Sequence, residues 1–147
     1  MADPPQSVLF ACSMNAVRSP MAEAIMKHLF GRTVYVDSAG ARRGEADPFM
    51  VAVLDEIGID IADHRPKTFD DLEDFSYDLV VTLAPDAQHR ALEVTRSIAC
   101  EVEYWPTLDP TVVEGSRAIR LDAYRQVRDQ IWKRITERFG DPASPKV

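Results

Sequence analysis

Two cysteines, Cys12 and Cys100, are all that the 147 residues contain, too few for a disulfide framework. A chain that keeps a free thiol suits a reducing compartment, so a cytoplasmic location is expected. The three histidines, His28, His64 and His89, are scattered without ligand spacing, and a metal site is not expected. Long apolar runs are missing too: nothing approaches the roughly 20 residues needed to cross a bilayer. The opening Met-Ala-Asp-Pro-Pro-Gln has neither a basic nor an apolar region, so no signal peptide is expected. Positive charge is in deficit. Lysine and arginine number 17 against 24 acidic residues, a net charge of −7, and no basic block interrupts the chain. Nucleic acid and anionic membranes are therefore not expected as partners. Repeats, low-complexity segments and linkers are absent as well. Residues 1–147 are expected to form one domain, with residues 1–6 and 141–147 as frayed tails.

What is present alternates between two patterns. Apolar runs at Val8–Ala11, Thr33–Ser38, Tyr77–Leu83 and Ile98–Trp105 read as strands, with Ala39-Gly40 as a turn after the second. Between them lie stretches of helical spacing. Pro20–Phe30 puts Ala22, Ile25, Met26 and Leu29 on one face and stops at Gly31. Asp47-Pro48 reads as an N-cap followed by proline at the first helical position. The helix it opens presents Met50, Val51, Leu54 and Ile57 and ends at Gly58. Asp70–Phe75 is expected as a short helix and Pro85 to about Thr95 as a longer one. Residues 107–121 lack periodicity and are expected as loop. A last helix runs from about Asp122 to Phe139 on a stripe of Tyr124, Val127, Ile131 and Ile135. Strands alternating with helices imply parallel pairing through right-handed crossovers. The fold class is thus α/β: a three-layer sandwich with a four-stranded parallel sheet and helices on both faces. In such sheets ligands sit at the carboxyl ends of the strands.

Cys12 stands at that end of the first strand. Five residues separate it from Arg18, and Ser19-Pro20 follow, with a proline that belongs in the first turn of a helix. Strand, tight loop and helix N-terminus together aim backbone N–H groups inward and add the positive end of the helix dipole. That nest stabilises the Cys12 thiolate and a tetrahedral oxyanion, which Arg18 can hold through a bidentate fork. An arginine at a helix N-terminus opposes the dipole unless an anion is there, so Arg18 itself points to an anion site. Ser13, Met14, Ala16 and Val17 would supply loop amides. Asn15 tolerates the left-handed backbone of a tight turn, and Ser19 can donate its hydroxyl to the thiolate. These residue types in this order describe a thiolate nucleophile attacking phosphorus or arsenic.

Cys12-Ser13-Met14-Asn15-Ala16-Val17-Arg18-Ser19-Pro20, with Met21-Ala22-Glu23-Ala24 after it, resembles the low-molecular-weight protein tyrosine phosphatases and the related thioredoxin-coupled arsenate reductases. The resemblance extends from Val8 to Phe139, including Asp37-Ser38-Ala39-Gly40 and Asp63-His64-Arg65-Pro66-Lys67. It implies a strand order of 2-1-3-4, with a phosphate-binding loop after strand 1. It also implies that Asn15 bonds neighbouring residues, including Ser38, and that Asp109 in Leu108-Asp109-Pro110 is the general acid. Cys12, Arg18 and Asp109 would then be the catalytic residues, with Ser13, Met14, Asn15, Ala16, Val17 and Ser19 binding substrate and Ser38 supporting the loop. No cofactor is implied.

This sequence departs from both branches. Val17 occupies the place of the phosphatases' second loop cysteine. Thr111-Val112 follows Asp109-Pro110 instead of paired tyrosines, and residues 41–47 contain no aromatic residue. The reductases' relay cysteine after a Thr-Leu pair is Ala84, and Cys100 at the start of the fourth strand is placed about 15 Å from the active edge. Leu79–Leu83, Trp105 and Tyr124–Ile131 nevertheless look like the reductases. The expected function is a metal-independent phosphomonoester hydrolase of the protein tyrosine phosphatase type, working through a phosphocysteine. The alternatives are an arsenate reductase using an external thiol and a non-catalytic oxyanion- or phosphoprotein-binding module. The expected partners are a phosphorylated protein or small phosphomonoester, or arsenate with a thiol reductant.

Overall fold

The computed structural model describes residues 4–73 and 75–140; the tail expectations at residues 1–3 and 141–147 lie outside them. Strands β1 (Ser7–Cys12), β2 (Tyr35–Gly40), β3 (Leu79–Thr82) and β4 (Glu101–Tyr104) form one sheet. Its order is β2-β1-β3-β4 and all three pairings are parallel. Helices α1 (Arg18–Phe30), α2 (Pro48–Asp55), α3 (Pro85–Val94) and α4 (Arg117–Phe139) connect and cover it, with short 3-10 turns at Phe69–Asp71 and Pro110–Val112. No helix among the described residues is long and apolar enough to cross a membrane.

β1 lies inside the sheet and is buried on both faces, which is why it reads as a continuous apolar run rather than an alternating one. Its side chains divide between two cores. Val8, Phe10 and Cys12 pack with α1, α2 and α4, around Met21, Ile25, Leu54, Tyr124, Ile131 and Ile135. Leu9 and Ala11 face the other way, toward Ala87 and Ala91 of α3 and the ring of Phe69. Each large side chain so buried contributes about 1.5–3 kcal/mol.

Several boundaries differ from expectation for identifiable reasons. Gln6, expected in the frayed tail, accepts from Tyr35 N at 2.9 Å and donates to Asp78 Oδ2 at 2.9 Å, so the sheet holds it on both sides. Ala39-Gly40 is not a turn: β2 continues through it and pairs with Ala11 and Cys12. Val53 is buried on α2, whereas Val51 and Ile57 are half-buried. α4 starts at Arg117, inside the segment expected as loop, because Ser116 Oγ caps it by accepting from Ile119 N at 3.2 Å. β4 is short, and Ile98 lies outside it and exposed.

Candidate active site

β1 ends at Cys12, level with Gly40 of β2, and the chain turns through Ser13–Val17 into α1. The loop's carbonyls are turned outward. Cys12 O accepts from Ala41 N at 3.0 Å, Ser13 O from Arg42 N at 2.8 Å and Met14 O from Gly44 N at 2.9 Å. Asn15 O bonds His64 Nε2 at 2.8 Å. The amides are thereby left to face the inside of the turn, as in an anion-binding nest. No side chain caps α1, and its first turn carries no acidic residue, so its N-terminus is open to an anion.

Asn15 sits at φ 52°, a left-handed conformation that asparagine tolerates better than most residues. It is fully buried and its amide uses every bonding group. Nδ2 donates to Ser19 Oγ and Ser38 Oγ, both at 2.9 Å, and Oδ1 accepts from Lys67 N at 2.9 Å. Ser38 in turn donates to a Glu23 carboxylate oxygen. Ser19 Oγ accepts from Asn15 and has two neighbours for its own proton, Cys12 Sγ at 3.0 Å and Ala39 O at 3.4 Å. Ser19 N adds a longer contact to the same sulfur at 3.4 Å.

Arg18 is only 7% exposed. Its Nη1 donates to Thr107 O at 2.9 Å and, more weakly, toward Leu83 O at 3.5 Å; Nη2 reaches Ser13 Oγ at 3.3 Å. The guanidinium thus joins the loop to the ends of β3 and β4. Asp109 lies beyond Thr107 in the same connection, with Oδ2 3.9 Å from Arg18 Nη2. Its Oδ1 accepts from Thr111 N at 3.0 Å and Thr111 Oγ1 at 2.7 Å, which orients the carboxylate.

The expected residues therefore converge: Cys12, Ser19, Asn15 and Ser38 form one hydrogen-bonded chain, and Arg18 and Asp109 face each other at the carboxyl edge. Met14 is exposed, Ser13 and Ala16 are half-buried, and Val17 is buried just before α1. Cys100 does not join them. Register places Glu101 level with Leu79 and Val8, at the opposite end of the sheet from Cys12.

Sequence reasoning missed several neighbours. Asp86 accepts from Ser13 Oγ at 2.8 Å and faces Arg42 at 3.6 Å. His64 and Lys67 brace Asn15, Glu23 ends the serine–asparagine chain, and Gly40 and Gly44 let two backbones approach the loop. Asp86 had a usable signal, since it follows the carboxyl end of a parallel strand. Lys67 contributes a backbone amide, which no residue type announces. Phe49, two residues past the aromatic-free segment 41–47, brings one ring beside Tyr124 at 5.4 Å.

The chain has relatives of both expected kinds. An arsenate reductase of Shouchella clausii (strain KSM-K16) is 34% identical over 129 residues, covering 87% of this chain and 91% of the relative. A glutaredoxin arsenate reductase of Synechocystis sp. (strain ATCC 27184 / PCC 6803 / Kazusa) is 33% identical over 134 residues, 88% of this chain and 93% of the relative. The solved low molecular weight protein tyrosine phosphatase from T. tengcongensis superposes with a TM-score of 0.73 at 28% identity, covering 90% of this chain and 96% of that one. The profile described as low molecular weight phosphotyrosine protein phosphatase matches residues 7–139. On that match, which takes in both the loop after β1 and the connection that carries Asp109, the chain belongs to the low molecular weight phosphotyrosine protein phosphatase family.

Proposed function

We propose that the protein is a cysteine-dependent phosphomonoester hydrolase. The observation that carries this reading is the pairing, at one sheet edge, of a thiol in hydrogen-bond contact with a serine hydroxyl and a carboxylate facing the anion-binding arginine. In the first step Cys12 Sγ attacks phosphorus. An S–P bond forms, the bond to the leaving oxygen breaks, and Asp109 gives that oxygen its proton. In the second, Asp109 takes a proton from water, the water oxygen attacks phosphorus, and the S–P bond breaks to return the thiolate. Arg18 and the amides of Ser13, Met14, Asn15, Ala16 and Val17 hold the phosphoryl oxygens, whose charge they offset throughout. Ser19 stabilises the thiolate as attacking and leaving group. Ser38, through Asn15, holds the loop's shape. The positive charge is supplied by the chain, so turnover is metal-independent.

Arsenate reduction with an external thiol is the second reading, favoured by the names of the relatives. There Cys12 Sγ would bond to arsenic as an arsenate oxygen leaves as water. A small or protein thiol would then attack Cys12 Sγ, releasing As(III) as arsenite. A second thiol would reduce the resulting mixed disulfide, so that two thiols become one disulfide as As(V) becomes As(III). An internal cysteine relay has no support, with alanine at position 84 and Cys100 at the far end of the sheet.

The test is p-nitrophenyl phosphate hydrolysis in the presence of a chelator, beside arsenate with added thiols. The native protein is expected to release phosphate under chelation. Cys12→Ser should abolish release, and Asp109→Asn should lower kcat by about 10²–10⁴-fold, the usual worth of a general acid. Arsenite production without phosphate release would transfer the assignment to the second reading.

A further inference from the structure

One contact at the carboxyl edge is unused by this mechanism. The guanidinium groups of Arg117 and Arg120, in the first turns of α4, both lie over the ring of Phe49, at 5.0 and 4.7 Å from its centroid. Phe49 packs edge-on against Tyr124, whose hydroxyl donates to Asp47 Oδ2 at 2.7 Å. Burial pushes the Tyr124 phenol up, its hydrogen bond to Asp47 adds to this, and the charges of Arg120 and Asp109 act on it in opposite directions. Tyr124 and both arginines belong to α4, and this helix packs against the 3-10 turn Pro110–Val112 that directly follows Asp109, the carboxylate proposed as general acid. Asp47 also closes the segment whose Gly44 rests on the phosphate loop. The arginine pair is thus tied, through Phe49, Tyr124 and Asp47, to the segment that packs on the phosphate loop.

The two arginines differ from Arg42 and Arg43, the cations that follow β2. Arg42 faces Asp86 at 3.6 Å and Arg43 bonds Asp71 at 2.5 Å. Among the described residues no carboxylate lies within 4.0 Å of Arg117 or Arg120, although acidic residues outnumber basic ones by 24 to 17 in the chain. Both side chains are exposed. Stacking on a ring engages the face of a guanidinium and leaves its in-plane N–H fork for a carboxylate. Holding the forks still lowers the entropy cost of using them. The surroundings suit an extended chain rather than a small molecule: Met14, Leu108, Val112 and Ile119 stand exposed on the neighbouring loops and helix turn, offering apolar contact beside the charges.

We infer that Arg117 and Arg120, presented by Phe49, read acidic side chains flanking the phosphorylated residue, so that the preferred substrate is an acidic phosphopeptide. This rests on the phosphatase reading, and the experiment separates the two. Phosphotyrosyl peptides that differ only in acidic or neutral flanking residues are compared at low ionic strength. The acidic peptide is expected to have a kcat/KM at least about tenfold higher, through KM, and the advantage should shrink at physiological salt as screening requires. In the Arg117→Ala/Arg120→Ala protein the ratio should fall to near one. In Arg117→Glu/Arg120→Glu it should invert in favour of a peptide with basic flanks, which loss of folding cannot produce. A native ratio near one, or a ratio unchanged in either double variant, overturns the inference. Fluorescence anisotropy of the same peptides with Cys12→Ser protein reads the preference without turnover. Equal binding there also overturns the inference, whereas a clear preference without turnover by the native protein overturns only the phosphatase reading.

Discussion

At the scale of single residues the phosphate loop depends on positions where one atom more or less changes the geometry. Asn15 combines a left-handed backbone with an amide whose donors and acceptor are all engaged. Gly40 matters through what it lacks. A Cβ there would lie 2.6 Å from Arg42 O, 2.7 Å from Asn15 N and 2.8 Å from Met14 C. All three are backbone atoms, so no side chain can swing away to make room. Gly40→Ala is expected to cost about 1–3 kcal/mol, the usual range for overpacking a tight interior. It should also weaken phosphate binding, because Asn15 N belongs to the loop that must move. Gly58 is the control: its φ is +80° and nothing lies within 4 Å of an added Cβ, so Gly58→Ala brings backbone strain of about 1–2 kcal/mol and leaves phosphate affinity unchanged. Urea midpoints and phosphate titrations of both variants distinguish the two effects.

At the scale of elements, α2 and α4 are tied by one charged cluster. Arg128, largely buried, donates to Val53 O at 2.7 Å and to Glu56 Oε1 at 2.9 Å, while Arg125 grips Glu56 through two nitrogens. The hydrogen bond from Arg125 leads the causes that hold the Glu56 carboxyl below its ordinary value, with Arg128 adding to it against partial desolvation. A lowered carboxyl binds its proton more weakly in the folded state than in the unfolded one. Its stabilisation is therefore present above the ordinary glutamate range and is lost as pH falls through the lower folded value. Glu56 is 39% exposed, so solvent screening keeps its contribution to about 1 kcal/mol or less. Glu56→Gln should thus lower the urea midpoint at pH 7 and converge with the native protein in strong acid. A difference that persists unchanged in acid would assign the effect to packing instead of charge.

At the scale of the whole molecule, the sheet separates its two cysteines. Cys12 is at the carboxyl edge and Cys100 precedes β4 at the opposite edge. Burial, reinforced by the charge of Asp78, pushes the Cys100 thiol up, which keeps it protonated and slow to react. Cys100→Ser is expected to leave both phosphate release and thiol-supported arsenate turnover unchanged. A selective loss of arsenate turnover would mean that the chain rearranges to bring the two sulfurs together. The strand–loop–helix at residues 7–30 and the parallel α/β class were legible because a buried apolar run, a proline in a first turn and helical spacing are local signals. The early start of α4 was less so, since Ser116 looks like any loop serine until its oxygen is seen accepting from Ile119 N. β4 was read too long because edge strands are half-exposed and carry weak patterning.

By itself the sequence determined the order of elements, the buried first strand, and a loop in which cysteine, asparagine and arginine meet a helix N-terminus. These follow from periodicity and chain-neighbour geometry, which act over a few residues. Only the tertiary structure decided which distant groups complete the site. Thr107 O meets Arg18, Lys67 N meets Asn15, Glu23 receives Ser38, Asp86 takes Ser13, and Arg117 with Arg120 settles on Phe49. Such contacts depend on the register of parallel strands and on how each helix is rotated against the sheet. Both are set by the packing of the whole core and not by any one segment.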